Sequence, residues 1–138
     1  MSDNGDTVMT GVQTAVTNEA EPNAPDWIYA DDIPEAERAR LTDDLVAAFK
    51  TVYDPEIPCD VYELGLVYKV DIDDSRFVKL DMTLTAPGCP VAGELSQSME
   101  TAIGTVPGTS GATVSVVFDP PWTPGRMSEE ARVALDMF

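Results

Sequence analysis

The 138-residue chain contains no histidine. That absence removes imidazole from any acid–base scheme, rules out a Cys-His dyad and excludes every zinc site with an imidazole ligand. Cysteine is scarce as well. Cys59 and Cys89 are the only two, too few for a disulfide scaffold and too few to close a tetrahedral thiolate site within one chain. Any metal held through sulfur must therefore take further ligands from carboxylates, a small thiol, a partner or a second subunit. Basic residues are outnumbered 25 to 8, leaving a formal net charge of −17. Such a balance argues against nucleic acid or an anionic membrane as a partner. Apolar runs long enough to span a membrane are missing, and the first residues carry Asp rather than Lys or Arg. A cytoplasmic chain with reduced thiols is the expectation.

Large apolar side chains are few in the first thirty residues, which are rich in Asn, Thr, Gly, Asp and Ala. A segment of that kind cannot bury enough area to offset its ordering entropy, so residues 1–30 are expected to form an acidic, disordered tail. Trp27, Ile28 and Tyr29 are the exception and mark a point where the tail touches the domain or a partner. Residues 31–138 are then a single domain.

What is present in that domain is a set of clear periodicities. Leu41, Leu45, Ala48, Phe49 and Val52 recur at spacings of three and four, which predicts an amphipathic helix from about Pro34 to Tyr53, either kinked or re-capped at Thr42. Strands are expected over Leu66–Ile72 and Phe77–Thr85, separated by the polar turn Asp73–Arg76. In the second, Val78, Leu80, Met82 and Leu84 alternate with Lys79, Asp81, Thr83 and Thr85, giving one buried and one polar face. A second helix carries Leu95, Met99, Ala102, Ile103 and Val106. A third strand spans Thr113–Phe118, with Val114, Val116 and Phe118 inward. Ser128 caps a last short helix whose first turn holds Glu129 and Glu130. The order helix-strand-strand-helix-strand-helix predicts an α+β fold: a small, mostly antiparallel three-stranded sheet covered on one face by helices.

The chain turns on Thr83-Leu84-Thr85-Ala86-Pro87-Gly88-Cys89-Pro90. A strand ends, the backbone turns at Pro87 and Gly88, and Pro90 suits the first helical position. Cys89 is thereby placed at the helix start, where the dipole favours thiolate, the form that binds metal or attacks an electrophile. The alternative is a buried structural cysteine in a tight turn. Two further turns carry chemistry: Asp54-Pro55-Glu56-Ile57-Pro58, a rigid loop with two carboxylates, and Asp119-Pro120-Pro121-Trp122. If the first reaches the same sheet edge as Cys89, a thiolate, one or two carboxylates and the Thr85 hydroxyl converge in a shallow pocket suited to a soft metal. Each has a plainer reading: Asp54 caps a turn, Glu56 and Glu63 are solvated, Thr85 lies on a polar strand face, and Trp122 covers the core. Cys59 has no helix-start context and reads as structural or incidental.

Taken together, Val52–Pro58, Glu63–Tyr68, Thr83–Pro90, Asp119–Pro124 and Met127–Arg132, in that order, resemble the SufT, or metal–sulfur cluster biosynthesis, family. This family includes PaaD-like proteins and the eukaryotic cytosolic iron–sulfur targeting adaptor. The resemblance covers about residues 41–136. It implies a non-enzymatic role in iron–sulfur protein maturation in the SUF system, with SUF assembly proteins and client apoproteins as partners. It places the family's reactive cysteine at Cys89 and its acidic loop at Asp54 and Glu56. Thr85 and Glu63 are expected to support that site, and Trp122 and Asp119 to contact partners. Cys89 is the metal candidate, as a transient ligand to iron or a cluster, with no stable cofactor. One such cysteine per chain cannot hold a cluster alone, so a homodimer is expected. A second reading makes the protein an adaptor for client proteins, with Cys89 structural.

Overall fold

The computed structural model describes residues 21–85 and 92–135. Within them the chain runs β1 (Asp26–Tyr29), α1 (Glu35–Phe49), β2 (Val67–Ile72), β3 (Phe77–Met82), α2 (Ala92–Gly104), β4 (Gly111–Val116), a 3-10 turn (Pro124–Arg126) and α3 (Glu129–Leu135). Cys89 lies outside the described residues.

Among the described residues the sheet has four strands in the order β1-β2-β3-β4, not three. It is mixed rather than mostly antiparallel: β1 and β2 are parallel, β2 and β3 antiparallel, β3 and β4 parallel. The reason lies in the connections. A helix returns the chain to the end of the sheet it left, so the strand after it must run parallel to the one before. Two strand–helix–strand units are therefore joined by the β2–β3 hairpin.

The additional strand comes from the segment expected to be disordered. Asp26–Tyr29 pairs with Lys69–Ile72, and its alternation puts Trp27 and Tyr29 on the helix side while Asp26 and Ile28 stay exposed. Trp27 stacks on Tyr29 and on Phe49 of α1, with ring centroids 6.2 and 6.3 Å apart. The Tyr29 hydroxyl bonds to Thr42 Oγ1. Arg38 fastens the turn between β1 and α1, donating from Nε to the Ile33 carbonyl at 2.8 Å and from its terminal nitrogen to the Ala30 carbonyl at 3.2 Å. Two aromatic rings thus give a four-residue strand the apolar contact that its acidic neighbours lack.

α1 is one helix, unbroken at Thr42, with Leu41, Leu45, Ala48 and Phe49 buried as its stripe requires. Leu95, Met99 and Ile103 of α2 join them over Val70, Ile72, Val78, Leu80 and Met82 of the sheet. The opposite face is polar. There Lys69 stands opposite Asp81 and Asp71 opposite Lys79, pairings of opposite charge that favour this register.

Two strand ends differ from expectation. β3 stops at Met82, so its alternation lapses. Thr83 is buried instead of exposed, and donates its N–H to the Leu66 carbonyl at 2.8 Å. β4 begins at Gly111 and ends at Val116. Beyond that end the side-chain direction is no longer set by the sheet, and Phe118 is 48% exposed rather than inward.

The hairpin is tied to α1 by Arg76, whose guanidinium makes a two-pronged pair with Glu37, both bonds 2.8 Å. At the other end of the sheet, Gly65 has φ of +78°, and a methyl group there would overlap the Arg126 backbone carbonyl. Only glycine allows the Pro124–Arg126 turn to lie directly on the Gly65 backbone.

Candidate functional site

The acidic loop is built from its ends inward. After α1, Val52 is buried and anchors the chain. Tyr53 and Asp60 then form an isolated antiparallel bridge that closes the loop, with the Asp54 N–H donating to the Cys59 carbonyl at 3.1 Å. Pro55 and Pro58 limit the conformations available between them. Asp54 folds back onto its own loop: Oδ1 accepts the N–H groups of Glu56 and Ile57 at 2.7 and 2.9 Å. This is the self-bonding turn that aspartate favours before proline.

Its other oxygen reaches across the molecule. Asp54 Oδ2 accepts the Thr85 hydroxyl at 3.2 Å, joining positions 31 residues apart. Asp54 is only 7% exposed, and no Lys or Arg among the described residues bridges it. Three donors therefore hold a buried carboxylate. Asp54 and Thr85 thus meet, which is one part of the convergence considered from the sequence; its Cys89 part lies outside the described residues. Thr85 stands four positions before Cys89 in sequence, and α2 begins three positions after it.

Of the other expected site residues, Glu63 goes elsewhere. Glu56 is exposed on the loop. Glu63 does not join Asp54: Oε1 accepts the Ser128 hydroxyl and Oε2 pairs with Lys50 Nζ at 3.3 Å. Its backbone carbonyl also accepts the Ser128 N–H at 2.8 Å, while Ser128 Oγ accepts the Ala131 N–H at 3.0 Å as the cap of α3. Glu63 thus seats the last helix. Trp122 is half-buried, and its indole N–H donates to the Leu64 carbonyl at 2.7 Å. Asp119 is exposed. The loop between them is held by the Tyr68 hydroxyl, which donates to the Pro120 carbonyl at 2.7 Å.

Cys59 is half-buried, and its thiol is pushed up to about 11, chiefly by burial and then by the charges of Asp60 and Glu63. Asp60 beside it is raised too, again mainly by burial. A thiol in that setting stays protonated at neutral pH and is neither a nucleophile nor a ready metal ligand. Its reading as a structural residue agrees with this environment. Among the described residues, no three Cys, Asp or Glu side chains are placed to hold a metal ion together.

Sequence reasoning passed over Tyr53. It is 61% exposed and lines a cleft of about 720 Å3 with Thr51, Glu94, Ser98 and Thr101, between the end of α1 and α2. The available signal was an aromatic residue immediately after the helical stripe and immediately before Asp54-Pro55.

A family model described as iron–sulfur cluster assembly protein matches residues 42–116, from α1 through β4. A Porphyromonas gingivalis protein named Fe-S protein maturation auxiliary factor is 44% identical over 93 residues, covering 67% of this chain and 89% of that one. A Staphylococcus aureus protein named Fe-S protein maturation auxiliary factor SufT is 42% identical over 84 residues, 61% of this chain and 96% of its own length. Among solved structures, a domain of unknown function from Bacillus anthracis superposes with a TM-score of 0.67 at 37% identity, covering 73% of this chain and 95% of that domain.

Proposed function

The chain belongs to the iron–sulfur cluster assembly protein family, and from that premise we propose that it hands on iron or an iron–sulfur cluster as cargo, with Cys89 as the transient sulfur ligand. Its role in iron–sulfur protein maturation follows from the family. The observation that supports this reading is the bond from Thr85 to the buried Asp54 carboxylate. It ties the acidic loop to Thr85, four positions before Cys89 in sequence.

On this reading the chain catalyses no reaction of its own. The Cys89 thiol loses its proton on ligating iron, and the missing ligands come from the carrier, the client or a second copy of the chain. Glu56 is exposed on the same loop and on this reading supplies a hard oxygen to the cargo. A homodimer brings two Cys89 thiolates and leaves the remaining positions open for exchange. The partners are SUF assembly proteins and client apoproteins, in the cytoplasm; no described helix is long and apolar enough to cross a membrane.

Anaerobic reconstitution with iron and sulfide, followed by absorption spectroscopy and light scattering, tests this. The wild type is expected to develop cluster absorption together with a dimer-sized species, and Cys89→Ser to develop neither. Equal colour in the Cys89→Ser protein would overturn the ligand assignment. The adaptor reading would then gain, with the exposed Tyr53 and the cleft beside it as the surface that favours it.

A further inference from the structure

β4 is the last strand of the sheet, and among the described residues no strand pairs with its outer side. The Val117 N–H just past its end turns inward, to the Met82 carbonyl at 2.8 Å. Alternation then points the peptide groups of Ala112, Val114 and Val116 outward. One of these donors is occupied: Glu100 of α2 reaches over the edge, and its Oε2 accepts the Val114 N–H at 3.2 Å. The core is laterally unfinished here. Val78, Leu80 and Met82 of β3 are 1% exposed or less, whereas their partners Ala112, Val114 and Val116 are only partly buried. Thr113 and Ser115 lie exposed on the other face. Charge is missing as well: residues 101–118 hold no Asp, Glu, Lys or Arg, in a chain where such residues make up 24%. Natural edges are blunted by charge or proline within the strand. This one has a single carboxylate, brought from the neighbouring helix.

We infer that this edge pairs with β4 of a second copy of the chain, antiparallel about a two-fold axis through Val114. The register follows from the residues. With Val114 opposite Val114, the outward peptide groups of Ala112 meet those of Val116 in the other copy. Thr113 stands opposite Ser115, a hydroxyl pair of the kind that stabilises neighbouring strands, and the valines lose their remaining exposure. A basic partner gains nothing from an uncharged edge, whereas two chains that each carry −17 need such a place to meet. Above the edge, α2 leaves room for its counterpart. Gly93, Ser96 and Gly104 share the Glu100 side of the helix, at spacings of seven and four, and a methyl group added at either glycine would touch nothing. Glu100 is the guard: pairing requires the Val114 N–H to leave it and brings two such carboxylates to one seam, so the dimer is weak while it is present. The antiparallel arrangement sets the Met82 ends of the two β3 strands, after which the chain runs on to Cys89, at opposite ends of the joined sheet. This interface therefore needs no iron and is separate from a pairing through shared cargo.

Sedimentation equilibrium of the full-length protein in a Cys89→Ser background, without iron, tests this independently of the proposed ligand. The dilute protein is expected to be monomeric and to dimerise as its concentration is raised. Glu100→Ala should tighten the dimer about tenfold, since it frees the Val114 N–H and removes two like charges from the seam. Thr113→Lys/Ser115→Lys sets Lys opposite Lys at two places, both on the exposed face, and should weaken the dimer about tenfold. Thr113→Lys/Ser115→Glu sets Lys opposite Glu at the same two places and should restore it, which separates the interface from any effect on folding. A monomer at every concentration, in the Glu100→Ala protein as well, would overturn the pairing and leave the edge to a foreign strand. A dimer untouched by the Lys/Lys change would put the contact on another face, and equal weakening by both double substitutions would overturn the register.

Discussion

Asp54 is held by three hydrogen-bond donors, two from its own loop and one from Thr85. Removing only the last separates the loop from the strand end without disturbing the loop's internal turn. Thr85→Val should therefore cost about 1.5 kcal/mol, toward the low end for a bond to a charged group because Thr85 is half-buried, and Thr85→Ser should restore most of it; urea unfolding reads both. Cys59 carries a pH prediction. Its folded thiol titrates near 11, above the unfolded value. The folded state therefore holds the proton more tightly, so this contribution to stability is complete below the unfolded pKa and is lost as pH rises through about 11. In a Cys89→Ser background, iodoacetamide labelling of the native protein should be slow at neutral pH and accelerate towards that value. At this scale the turn chemistry of Asp54-Pro55 and the end of an alternating strand were each legible, but their meeting was only a conditional reading, since the bond joins positions 31 residues apart. The place of Glu63 was not legible. Its partner Ser128 is 65 positions away, and nothing local distinguishes a carboxylate that seats a helix from one that supports a site.

The elements show the same division. α1, α2 and the β2–β3 hairpin follow from periodicity and turn residues, and they occur close to where those signals place them. β1 did not, since four residues are too few to establish a period and the surrounding composition is that of a disordered segment. Trp27 and Tyr29 decide the matter through tertiary contacts: they stack on each other, and Trp27 stacks on Phe49. Trp27→Ala should accordingly destabilise the whole domain by about 2 kcal/mol, less than for a fully buried tryptophan because the ring is only half-covered. Thermal unfolding by circular dichroism would record it as a lowered midpoint; an unchanged midpoint would mean that β1 adds nothing to the domain. The parallel pairings were likewise hidden in plain alternation. They follow from the helices between the strands rather than from any residue in them.

For the molecule as a whole, the acid excess is distributed rather than confined to the tail: residues beyond 32 still carry a net −10. A surface of that sign repels nucleic acid and anionic lipid and attracts basic proteins, screened by salt over about 10 Å at 0.1 M. Maturation by direct contact with a basic partner is consistent with that field. The Asp54–Thr85 contact belongs to the stretch that matches the family. On the proposed reading, function depends on one sulfur, that of Cys89. The most direct test is the activity of an iron–sulfur enzyme in extracts of an iron-limited strain that lacks its own copy of this protein and expresses either the wild type or Cys89→Ser at equal level. The account predicts that the wild type restores the enzyme and that Cys89→Ser leaves it at the level of the deletion. Full restoration by Cys89→Ser would contradict it.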